Sequence, residues 1–94
     1  MALLIPLKGE NAVYIHIGHK TVINSNEIIG IFDLDTATVS KRTRDFLNKN
    51  EKKNNIILVS EEIPISFVVC DNDKIYFSPV SSATLHKRAE ENFK

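Results

Sequence analysis

One cysteine, Cys70, stands in the entire sequence, so no intramolecular disulfide can staple this chain and a reducing compartment is expected. Glycine is nearly as scarce, at three residues. They are too scattered to build a phosphate-cradling loop, and there is no Gly-x-Ser-x-Gly elbow to present a nucleophilic serine. No apolar run approaches the roughly 20 residues that cross a bilayer. The opening Ala2-Leu3-Leu4-Ile5 is too short for a signal-peptide core, and Pro6 interrupts it. A cytoplasmic protein with no membrane partner is therefore expected. Net charge is missing too. The 12 basic and 12 acidic residues cancel, whereas a dedicated nucleic-acid binder is usually basic overall.

What is present is the composition of an ordinary folded domain, 94 residues with 43% hydrophobic and 26% charged side chains. A chain of that length buries only about two-thirds of its unfolded surface, which leaves a thin margin of stability unless copies associate. The charge is also unevenly placed. Residues 41–53 carry Lys41, Arg42, Arg44, Lys49, Lys52 and Lys53 against Asp45 and Glu51, so this stretch is +4 and the rest of the chain −4. An anionic partner would be drawn to this segment.

Residues 1–12 show no clear period and read as an N-terminal extension or tag-like lead-in, with one domain expected over 13–94. From Val13 the pattern sharpens. Val13-Tyr14-Ile15-His16-Ile17 alternates as a half-buried strand does, Gly18-His19-Lys20 turns, and Thr21-Val22-Ile23 returns. After the turn residues Asn24-Ser25-Asn26, the run Ile28-Ile29-Gly30-Ile31-Phe32 suggests a strand covered on both faces. Thr38 or Ser40 is a natural cap for a helix over about 39–50. At about 100° per residue, Val39, Phe46 and Leu47 share an apolar arc with Thr43 between them. Lys41, Asp45, Asn48 and Lys52 lie opposite, flanked by Arg44 and Lys49. Ile56–Val59 reads as a strand, and Ser66–Cys70 and Ile75–Ser78 as a hairpin closed by Asp71-Asn72-Asp73-Lys74. Ser81 or Ser82 caps a last helix over about 82–92, in which Leu85, Ala89 and Phe93 recur every fourth residue. The expected fold class is α+β, a largely antiparallel β-sheet with two α-helices.

Little in this inventory is catalytic. His16 and His19 flank Gly18, but a zinc site needs a third and usually a fourth ligand, with only His86 and Cys70 left to supply them. Ordinary strand and turn histidines are the better reading. Asp33 and Asp35 sit where an acidic strand terminus commonly does, and Ser78-Pro79-Val80-Ser81-Ser82 reads as a strand exit followed by a helix cap. No enzyme, metal, cofactor or small-molecule substrate is expected. The basic segment is the stronger candidate, although a solvated helix face accounts for most charge runs of this kind.

Four pieces of the sequence, in order, carry a resemblance. Tyr14-Ile15-His16-Ile17-Gly18 with Asn26–Asp35 is similar to the start of proteins in the RemA/RemB family of extracellular-matrix regulators, nearest its RemB branch. Val39-Ser40-Lys41 with Thr43–Leu47 resembles that family's central helix. Ser66–Val69, and then Tyr76–Ala89, resemble its C-terminal signature. The resemblance runs from about residue 13 to residue 90. It implies a bacterial regulator of biofilm-matrix genes and, in the RemA branch, a ring-shaped homo-oligomer that wraps DNA on a repeated basic surface. Where that branch carries DNA-contacting arginines, this chain has Glu27 and Ser60-Glu61-Glu62-Ile63-Pro64.

The resulting expectation is a homo-oligomer, with edge strands paired or capped between subunits, that contacts DNA backbone (AT-rich promoter sequence) through Lys41, Arg42, Arg44 and Lys49, joined by Lys87 and Arg88. Weak charge on one protomer becomes useful by repetition, since each neutralised phosphate releases counterions and the contributions accumulate. The alternative is a protein-interaction module that acts on matrix genes indirectly, and Glu27, Glu61 and Glu62 favour it. Residues 1–12 are expected to be dispensable. Their deletion should leave the thermal midpoint almost unchanged, and a fall of several degrees would place Leu3, Leu4 and Ile5 in the core or in an interface.

Overall fold

The computed structural model describes residues 14–18 and 20–91. The expectations for the lead-in 1–12, Val13, His19 and Phe93 lie outside the described residues. Strands β1 (Tyr14–His16) and β2 (Val22–Asn24) pair antiparallel as a small hairpin. A 3-10 turn, Ser25–Glu27, leads into β3 (Ile28–Asp33), followed by a short helix α1 (Leu34–Ala37) and the longer α2 (Lys41–Lys52). Then come β4 (Ile56–Leu58), β5 (Ser66–Cys70), β6 (Ile75–Ser78) and α3 (Ser82–Glu91). The main sheet has the order β3-β5-β6-β4, antiparallel except for the parallel β4–β6 pair. The α+β class and the β5–β6 hairpin are as the sequence predicts.

Local chemistry sets the boundaries. Asn24 accepts from the Asn26 amide at 2.9 Å and turns the chain out of β2, while Asp33 accepts from the Thr36 amide at 3.2 Å and opens α1. Ser40 then caps α2 by accepting from the Thr43 amide. The central helix therefore starts at Lys41 rather than near 39, because residues 34–37 are already taken up by α1 and Thr38 caps it, its N–H donating to the Leu34 carbonyl. At its far end Asn54 takes a left-handed conformation, φ 61°. Asn55 N–H donates to Asn50 and Asn54 N–H to Glu51, the paired bonds of a Schellman end. Ser81 caps α3 through the Thr84 amide at 3.2 Å.

The strands of the main sheet alternate between two cores. On one face Val68 and Cys70 pack with Ile15, Ile17 and Ile23 of the small hairpin and with Leu85 of α3. On the other, Phe67 and Ile75 pack with Leu47 of α2, joined by Leu34, Ala37 and Ile56. So α2 and α3 lie on opposite faces. Across the α2 face the register aligns Phe32, Phe67 and Phe77 on neighbouring strands. The Phe32 and Phe67 rings stack at 5.1 Å between centroids. Two buried serines tie the layers: Ser78 donates to the Ile17 carbonyl, and Ser66 to the Val80 carbonyl at 2.6 Å.

Two expectations about burial fail. Val39 is 76% exposed and Phe46 43% exposed, leaving Leu47 as the one buried residue of α2. Val39 falls in the corner between α1 and α2, where helical periodicity does not apply, and Phe46 lies on the helix flank beyond the sheet contact. The run 28–32 is not covered on both faces either, since Ile29 is 68% and Phe32 42% exposed. The register with β5 shifts between Ile28 and Gly30, and the extra residue, Ile29, is turned outward.

Leu85 is fully buried in the larger core. Its replacement by alanine should cost about 2–5 kcal/mol, lowering Tm by roughly 10 °C or more for a domain of this size. Val39→Ala should shift stability by no more than about 0.5 kcal/mol. Paired thermal melts check the contrast, and equal losses would contradict this assignment of the core.

Candidate nucleic-acid interface

The sequence offers six cationic candidates, four in the central segment and Lys87-Arg88 as a second small cluster, and the structure puts the two groups on different helices. Lys41, Arg42, Arg44 and Lys49 are on α2, while Lys87 and Arg88 are on α3, across the sheet. A single straight duplex cannot lie against both helices of one protomer. Along α2, Lys41, Asp45, Lys49 and Lys52 form an exposed crest opposite Leu47, with Arg42 beside it. Lys49 and Lys52 occupy the last turn, where they also offset the negative end of the helix dipole.

The individual partners differ. Lys41 pairs with Asp45 at 2.9 Å, both side chains more than half exposed, an i,i+4 contact whose net value in water is small. Arg44 is committed elsewhere. Its Nη1 donates to the Thr38 carbonyl at 2.8 Å and to the Val39 carbonyl at 2.9 Å, satisfying acceptors left over at the end of α1 and fixing the corner into α2. Arg88 is similarly employed, donating from Nη1 to the His16 carbonyl at 2.8 Å. It lines a cleft of about 370 Å³ with Glu62, Pro79 and Val80. Of the six candidates, Lys41, Arg42, Lys49 and Lys87 have no hydrogen bond to a backbone carbonyl among the described residues.

Beside the crest runs a feature that hydrophobic periodicity concealed. Ile29, Phe32, Phe46, Phe67 and Val69 form an apolar groove of about 290 Å³, with Arg42 and Thr43 among its lining residues. The available sequence signal was Gly30, small enough to leave room for the Phe32 ring, whose nearest atoms would stand 2.7 Å from an added Cβ. On the other flank of α2, Leu34, Leu47, Ile56, Leu58 and Phe77 line a wider cleft of about 540 Å³, with Arg44 and Glu51 also part of its wall.

Among the described residues no group of three His, Cys, Asp or Glu side chains could hold a metal ion, and no helix is long and apolar enough to cross a membrane. Cys70 is 2% exposed. Burial, reinforced by the charges of Glu27 and Asp71, pushes its thiol up from 9.0 to about 11. A nucleophilic or redox role needs the thiolate, so this environment is the wrong one for it. The Tyr76 hydroxyl is raised as well, by burial first and then by Cys70 and Glu27.

The sign of the pH effect follows. Below pH 9 the folded and unfolded chains both keep the thiol proton. Between pH 9 and about 11 the unfolded chain loses it first, so it binds fewer protons and folding becomes less favourable. Thermal stability should therefore decline across that window, and Cys70→Ala should decline less steeply, with Tyr76 sustaining the remainder. A slope unchanged by the substitution would remove Cys70 as its cause.

A family model described as RemA-like, "Extracellular matrix regulatory protein A-like", matches residues 14–89. The chain is also similar to "Extracellular matrix regulatory protein B" of Bacillus subtilis (strain 168). The two are 40% identical over 81 residues, which covers 86% of this chain and 95% of that protein.

Proposed function

The chain belongs to the RemA-like family, whose model and whose Bacillus subtilis relative are both described as extracellular matrix regulatory proteins, and from that premise we propose that it acts on matrix gene expression as a homo-oligomer, a closed ring, that holds DNA backbone along the crest of α2. The observation that carries this reading is the crest itself. Lys41, Lys49 and Lys52 project from one exposed arc with Asp45 as the only acid among them. Arg44 and Arg88 are weaker candidates for phosphate than the crest lysines, because Nη1 of each is already engaged with backbone carbonyls, although the charge and the remaining N–H donors persist. Lys87 faces away from the crest, so the proposed contacts are those of α2.

Three cations on a neutral chain bind a polyanion weakly, but several copies that present the same crest multiply the counterion release. Exposed apolar side chains support association: Ile29, Phe32 and Phe46 lie around one groove, and Leu58, Ile63 and Ile65 are exposed as well. Phosphate contacts position the protein without reading bases, so discrimination would come from the shape and deformability of AT-rich promoter DNA.

The protein-interaction reading is favoured by a specific pair of facts, the commitment of Arg44 and Arg88 to carbonyls and the exposure of Glu61 and Glu62. A mobility-shift series on AT-rich promoter DNA at rising salt separates the two. Wild-type protein should bind and lose affinity steeply with salt. Lys41→Glu with Lys49→Glu should weaken binding sharply and flatten the salt slope by about 0.9 for each phosphate left un-neutralised. Stability should stay within about 0.5 kcal/mol for each exposed site. Equal binding by the double variant would show that α2 is a solvated face. No binding by wild type at low salt would leave the protein-interaction reading in place.

A further inference from the structure

Two surface features of this chain are both apolar and carry opposite charges, and among the described residues neither is covered by the same copy. The first is the groove beside α2, with Ile29, Phe32, Phe46 and Phe67 forming its apolar part and Arg42 in its wall. The second is the loop between β4 and β5. It reads Glu61-Glu62-Ile63-Pro64-Ile65, with Ile63 84% and Ile65 45% exposed.

The loop is held at its base. Ile65 N–H donates to the Ser78 carbonyl at 2.9 Å, the Ile65 carbonyl accepts from Leu34 N–H at 3.0 Å, and Glu62 N–H donates to Ser60 Oγ at 2.9 Å. Pro64 stiffens the segment between these anchors by fixing its own φ. A pinned loop that carries a large branched side chain outward loses little conformational entropy on docking. The ion pair among the described residues is Lys41–Asp45, so neither Arg42 nor Glu61 meets an opposite charge at contact distance among them. Ile63 is the most exposed large apolar side chain described, and so it does not fill its own groove.

We infer that the Glu61–Ile65 loop of one copy seats in the groove between α2 and β3 of the next, Ile63 entering the apolar floor and Glu61 meeting Arg42 at the rim. This rests on the homo-oligomer reading above and specifies how the copies meet. Because loop and groove are different surfaces, the contact is head-to-tail. Such a contact leaves one loop and one groove free at the ends of every open assembly until rotation closes a ring. It also assigns Glu61 to subunit recognition, so its negative charge faces Arg42 of a neighbour rather than DNA.

A mixing experiment tests this arrangement. Wild-type protein should run as a discrete multimer in light scattering at micromolar concentration. Ile63→Asp, which spoils the loop, and Phe46→Asp, which spoils the groove, should each give monomers. An equimolar mixture of the two variants should give a one-to-one dimer and nothing larger, because only the intact groove of the first and the intact loop of the second can join. Circular dichroism melts establish that each variant is folded. If Phe46→Asp is not, Ile29→Asp, at the 68% exposed position, takes its place. A wild-type multimer whose mass neither variant changes would overturn the loop-and-groove contact and leave the homo-oligomer reading standing. Monomeric variants whose mixture remains monomeric would overturn it too, since a head-to-tail contact must rescue one interface. Wild type that is monomeric throughout would overturn both.

Discussion

Everything outside the larger core depends on how little of the sheet's second face α2 covers. That helix contributes one buried side chain, Leu47, against a surface that offers Phe32, Phe67, Phe77, Val69 and Ile56. The opposite face is served by α3 together with the β1–β2 hairpin, which between them bury Ile15, Ile17, Ile23 and Leu85 to 6% exposure or less. The imbalance leaves apolar clefts on both flanks of α2. Among the described residues no further element lies over these clefts, and apolar surface left in water costs about 25 cal/mol for each Å². Coverage by another copy is the arrangement proposed above for that surface.

Much of this was legible in the sequence because the relevant signals are local. Alternation at Tyr14–Ile17, the turn residues 71–74 and the capping serines each depend on a few neighbours, and the strands, the hairpin and α3 formed where they predicted. The errors arose where one local rule displaced another. Asp33 and Asp35 read as a strand terminus, yet the same Asp33 caps α1, which pushed the start of α2 to Lys41 and put Val39 in a corner. The uncovered face of β3 was invisible because an apolar run does not say whether a helix exists to cover it.

The candidate site was less legible than the fold, for an electrostatic reason. Counting cations over residues 41–53 treats every one as free. The structure distinguishes Lys41 and Lys49, on the crest, from Arg44, whose Nη1 closes the α1–α2 corner. Nor could a list of residues show that Lys87 and Arg88 lie across the sheet from α2. Family resemblance identified the family correctly but carried no information about these commitments, since they arise from contacts between segments.

The edges of the main sheet constrain how copies can join. β4 is three residues long, and β3, at the other edge, carries the irregularity beside Ile29. Short strands and bulges are the devices that keep an open edge from recruiting another strand. Backbone pairing across β3 or β4 is thus discouraged, although both edges are flanked by apolar side chains. Association through side chains, with a pinned loop against a lined groove, avoids the register ambiguity of strand addition. It also sets the angle between neighbours by two fixed surfaces rather than by a variable number of paired residues. A fixed angle is what a closed assembly needs, and a closed assembly would in turn hold the α2 crests at a constant spacing. The same uncovered face that limits the stability of one copy would thereby determine how its weak positive charge is repeated.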